Sequence, residues 1–109
     1  MGSNRRYAAG VDRAMDARIV ARMMSEHAPD SLTDAELELD EQPITRTPRP
    51  ERVTAWVRYG GTPVRVDGEA VAWTTAAVAV RWRTPGDQEH RAWLWASAVS
   101  RARDPGGRT

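Results

Sequence analysis

Seven residues combine two side-chain types suited to binding a chain-like ligand: Trp56, Arg58, Arg81, Arg83, Arg91, Trp93 and Trp95. Within each set the spacing is two, and on a β-strand residues two apart share a face. An indole is a flat platform on which a nucleic-acid base stacks, worth roughly 1–3 kcal/mol per base. A guanidinium is a planar fork of donors that matches phosphate oxygens. Aromatic surfaces also take proline-rich or methylated peptide segments. Interleaved Trp and Arg therefore mark a candidate binding face, with nucleic acid as the leading ligand class.

Charge distribution points the same way. The formal net charge is +1 over 109 residues. Residues 12–41 hold nine acids and three arginines, a net −6, whereas residues 42–109 hold eleven arginines and six acids, a net +5. Such asymmetry between halves is a hint of nucleic-acid contact, and also what a chain shows when one half folds onto the other. Lysine and phenylalanine are absent, a usage that a GC-rich genome produces and that marks no site by itself.

Catalytic patterns are missing. With no cysteine there is no thiolate chemistry and no disulfide framework. With no lysine a Walker-type phosphate loop cannot form. His27 and His90 have no ligand-spaced neighbours, so each is expected at the surface or a helix end and not on a metal. Ser97 and Ser100 lack a nucleophile-elbow context. Asp67/Glu69 and Asp87/Glu89 read as solvated hairpin ends. The expectation is a protein that is no enzyme, with no cofactor and no metal. No apolar run nears the ~20 residues that span a bilayer. Arg5 and Arg6 lead into no apolar segment, so a cytoplasmic protein without membrane contact is expected.

The elements that must position the face are legible in outline. Residues 1–41 read as a helical arm, with helices at about 10–27 and 34–41. In the first, Val11, Met15, Ile19 and Met23 recur every four residues, and Met24 adjoins them. That spacing drifts ~40° per step around a helix of 3.6 residues per turn, so this helix is expected to need a partner surface. The second opens on Thr33 with Glu36 three residues on, a capping box, flanked by the staple pair Leu32 and Leu37. Residues 42–51 contain three prolines and read as an extended strap. Residues 52–100 read as short strands at 52–59, 63–66, 69–73, 78–83 and 89–96. Asp67-Gly68 is the strongest two-residue hairpin signal, and Gly60-Gly61 and Pro85-Gly86-Asp87 are further turns. Residues 101–109 read as a disordered tail. The fold expected is α+β: a helical arm and a small five-stranded SH3-like or Tudor-like antiparallel β-barrel.

Alternation assigns Val53, Ala55, Val57, Tyr59, Val64, Val66, Val78, Val80, Trp82, Ala92, Leu94 and Ala96 to the core, and the seven Trp and Arg residues to the opposite face. Two arrangements follow. Either the arm lies over the tryptophans and its acids pair with the arginines, or the face is open. Two functions follow as well: a nucleic-acid-associated accessory protein working through the seven face residues, or a protein–protein adaptor or assembly subunit of mobile-element or phage type. The adaptor would dock onto a partner or a second copy through Val11, Met15, Ile19, Met23 and Met24.

Overall fold

Alternating, β-rich sequence after Pro43 builds a single antiparallel sheet. A computed structural model describes residues 17–102. Residues 17–26 are helical (α1), and Asp34–Leu37 form α2. The strands are β1 (Thr45–Tyr59), β2 (Thr62–Trp73), β3 (Ala77–Arg83), β4 (Glu89–Trp95) and β5 (Val99–Arg101), with a 3-10 turn at Ala96–Ala98 between the last two. Their order across the sheet is β4-β3-β2-β1-β5. The sheet does not close on itself, because β4 and β5 are its two edges. The chain is thus α+β with a five-stranded antiparallel sheet.

Period-two alternation places the core as expected. Val53, Ala55, Val57, Tyr59, Val64, Val66, Val80, Trp82, Ala92 and Leu94 are buried, whereas Val78 is half-buried and Ala96 exposed. The expected hairpin at Asp67-Gly68 is not there. Asp67 and Gly68 are ladder positions within β2, paired with Thr54 and Val53 of β1. Gly68 serves a close approach instead: a Cβ there would collide with the backbone oxygen of Arg81 on β3. The tight turn is Gly60-Gly61, with φ of 60° and 90°, which joins Tyr59 directly to its partner Thr62. Only glycine takes two successive positive φ angles without steric cost, as a type I′ hairpin requires.

The strap also differs in part. Residues 45–51 belong to β1, and their pairing with β2 slips between Arg46 and Glu51. Pro48 and Pro50 lie in that irregularity, where their missing N–H groups interrupt no regular ladder. Helix α2 has the expected capping box: Glu36 N–H donates to Thr33 Oγ1 (3.1 Å), and Thr33 N–H donates to Glu36 Oε1 (2.9 Å). It ends four residues sooner than expected, with Glu38 left-handed at φ 54°. Glu38, Asp40 and Glu41 would place negative charge at the helix C-terminus, where the dipole opposes it.

The arm packs on the sheet through a different helix face from the one expected. Met24 is 3% exposed within the core cluster, and Val20 and Met23 pack against it. These three sit at i, i+3 and i+4, the true period of one helix face. Ile19 is 62% exposed. Met24 is therefore a core residue and Met23 a half-buried contact of the core, rather than members of a free docking stripe with Ile19; Val11 and Met15 lie outside the described residues, as does the tail from 103.

Candidate functional site

Residues 30–32 cross the gap between the free side of β1 and the β4 edge. Asp30 N–H donates to Arg58 O at 2.7 Å, and Leu32 N–H donates to Trp93 O at 2.9 Å. Trp93 N–H donates to Ser31 Oγ at 2.8 Å. The Asp30 carboxylate accepts from the N–H groups of Gly60 (3.4 Å) and Gly61 (3.3 Å). The arm thus occupies strand-edge groups that would otherwise be unpaired and open to other chains.

This seam gathers the tryptophans. Trp56 and Arg58 from β1 and Trp93 and Trp95 from β4 line one open groove of about 350 Å³, with Asp30 and Glu36 of the arm also lining it. Trp56 is 51% exposed, Trp95 45%, and Trp93 half-buried. The arm forms part of the groove without covering it. Arg58 Nη1 donates to Gly61 O at 3.0 Å, which ties its guanidinium to the hairpin. Across the hairpin, Arg65 is paired with Trp56 and its Cζ lies 5.9 Å from the indole centroid.

The arginines lie at the other end of the outward face, and each has an acid from the sheet or its turns. Arg81 binds Glu69 at 2.9 Å, Arg83 binds Asp87 at 3.3 Å, and Arg91 binds Glu89 at 2.7 Å. Arg81 and Arg91 are directly opposed cross-strand partners. Like charges at that position repel, and the flanking carboxylates offset this. The Arg91 guanidinium holds the Glu89 carboxyl below its ordinary range. A second open cavity, about 810 Å³, is lined by Arg52, Arg81 and Arg83 together with Asp67, Glu69 and Glu89, so its charges balance. Among the described residues, no ion pair joins an acid of the arm to these arginines. The seven residues therefore share an outward orientation but form two sites, an indole groove and a neutralised arginine cluster.

Three participants escape the strand-face reading. Arg65 was legible: a two-residue loop at Gly60-Gly61 sets Arg65 opposite Trp56. Asp30 and Glu36 carried no such signal, because only the fold brings the arm to the sheet. His90 is also not at the surface as expected. It is half-buried, and the Tyr59 hydroxyl lies 2.8 Å from its Nδ1. Trp82 Nε1–H donates to the same Tyr59 oxygen at 3.0 Å. One phenol oxygen thus joins the Trp82 indole and the His90 imidazole. Burial raises the Tyr59 phenol above its ordinary 10.0, and the Trp82 hydrogen bond opposes this in part.

Among the described residues no group of three or more potential ligands could hold a metal ion. No described helix is long and apolar enough to cross a membrane. No protein family, curated protein or solved structure matches the chain.

Proposed function

We propose that the protein is a non-catalytic interaction module, an adaptor that holds an extended segment of a partner protein in the indole groove. The observation that carries this reading is the convergence of Trp56, Trp93 and Trp95 on one open groove. Exposed large aromatics set side by side are unusual on a surface with no ligand, because indoles are favoured where they anchor a partner. The plan proposed for it is SH3-like or Tudor-like: a meander in which a 3-10 turn returns β5 to β1, with residues 30–32 spanning the gap that the strands leave. The balanced arginine cluster favours a peptide over a phosphate backbone, since Arg81, Arg83 and Arg91 each have an acid of their own.

A phage-displayed random peptide library tests this. Selection on the full chain is expected to enrich peptides whose binding is lost in Trp56→Ala and Trp95→Ala. Enriched peptides indifferent to both substitutions, or no enrichment, would refute it.

A nucleic-acid-associated role is the second reading, favoured by the Arg65–Trp56 stack and by exposed Arg46, Arg49 and Arg52 along β1. It requires tryptophan fluorescence that short oligonucleotides quench, with a salt slope that shrinks when Arg81, Arg83 and Arg91 become alanine. An unchanged affinity and slope would exclude that face.

A further inference from the structure

Resting on the groove reading above, we infer that the groove selects a positively charged side chain, so that its partner is an extended peptide segment bearing arginine or lysine. The first observation is that an indole of the groove already holds a cation. Arg65 lies over the Trp56 ring at 5.9 Å, the attraction of a guanidinium to the negative face of an aromatic. Trp93 and Trp95 of β4 bring the same chemistry to the groove lining. The ring contacts among the described residues join Tyr59, Trp82 and His90, and leave these two indoles unstacked.

The lining also holds two carboxylates. Asp30 and Glu36 both line the groove. The two glycine N–H groups of the β1–β2 turn hold Asp30, and the capping box holds Glu36. Each carboxylate is thus held by neutral donors, and among the described residues neither is in an ion pair. The arginine at this site, Arg58, keeps its positive charge but has Nη1 tied to the Gly61 carbonyl of the hairpin. A phosphate or an acidic peptide entering here would meet two carboxylates against the single guanidinium of Arg58. A guanidinium or ammonium would meet both carboxylates and indole faces. A cation over an exposed tryptophan gains roughly 2- to 5-fold in affinity, and more where water is excluded.

Fluorescence anisotropy with the full chain tests this. The probes are labelled glycine-serine peptides carrying several arginines, lysines, trimethyl-lysines or glutamates, or no charge, together with labelled oligothymidine. The cationic peptides are expected to bind, and comparison among them identifies the head group preferred. Trp95→Ala should weaken them roughly 2- to 5-fold or more. Asp30→Asn with Glu36→Gln should weaken them by a similar roughly 2- to 5-fold, less at high salt. Glu36→Gln keeps the one oxygen that accepts in the capping box, whereas Asp30→Asn keeps only one of the two that the Gly60 and Gly61 N–H groups use; Glu36→Gln alone, with an unchanged melting temperature, is therefore the charge-only control. Uncharged or glutamate peptides that bind as well, and depend on Trp95, would overturn the charge selectivity and leave the groove reading standing. No peptide binding, or preference for oligothymidine, would overturn both. Cationic binding indifferent to all three substitutions would overturn the inference by placing the contact elsewhere.

Discussion

Tyr59→Phe isolates a single oxygen at the centre of the fold. Tyr59 and Trp82 are each 2% exposed, and one hydroxyl serves both Trp82 Nε1–H and His90 Nδ1. Removing it leaves the ring packing intact but orphans the indole donor in a place that water does not reach. An unsatisfied buried donor costs about 1–3 kcal/mol. His90 is half-buried and can turn its nitrogen toward solvent, so its loss adds only the net value of one hydrogen bond, about 0.5–1.5 kcal/mol. The two together give about 1.5–4.5 kcal/mol, or a melting-point drop of roughly 6–36 °C for a domain of this size. Urea unfolding followed by circular dichroism is the assay, with an unchanged m-value showing that the loss is one of stability and not of compactness. A Trp82→Phe partner completes a double-mutant cycle. In the double variant no donor remains to be orphaned, so the two losses should fall short of additive by at least about 0.5 kcal/mol. A loss under about 0.5 kcal/mol for Tyr59→Phe, or strict additivity in the cycle, would refute the reasoning.

The same phenol sets an alkaline limit. Its folded pKa is raised above 10.0, so the stability it contributes is present below pH 10 and is lost as pH rises from 10 through the folded value. Urea midpoints should fall across that window in the wild type and fall less in Tyr59→Phe. Gly68→Ala drives a methyl group into the Arg81 backbone oxygen, which neither a rotamer change nor a flexible side chain relieves; a loss of about 1–3 kcal/mol or more is expected by urea unfolding. Thr33→Ala removes one side of the α2 capping box and should cost about 1 kcal/mol in the same assay. Asp30→Ala deprives the Gly60 and Gly61 N–H groups of their carboxylate; hydrogen exchange at these two amides should quicken, while the amides of β3, which Asp30 does not touch, keep their protection.

Local, periodic features were readable from the residues alone. Val53 to Tyr59 alternates with period two, and nearly every residue assigned to the core on that pattern is buried, because a strand with one solvated face leaves no other choice. Thr33 and Glu36 cap a helix through atoms three residues apart, a contact that needs no distant partner. Gly60-Gly61 was visible as a turn for the same reason. Features set by distant partners were not readable. Asp67-Gly68 has the composition of a hairpin, yet β1 on one side and β3 on the other hold it as continuous strand, and the glycine answers a close approach that only the folded sheet creates. Val11, Met15, Ile19 and Met23 repeat every four residues, but the sheet selected Val20, Met23 and Met24, since burial follows the face that meets the core and not the most regular spacing. The seven Trp and Arg residues were correctly placed facing outward, because alternation decides inside from outside. Whether they form one site or two depends on the curvature of five strands and on where residues 30–32 dock. Both are sums of long-range contacts, and no local window of the sequence contains them.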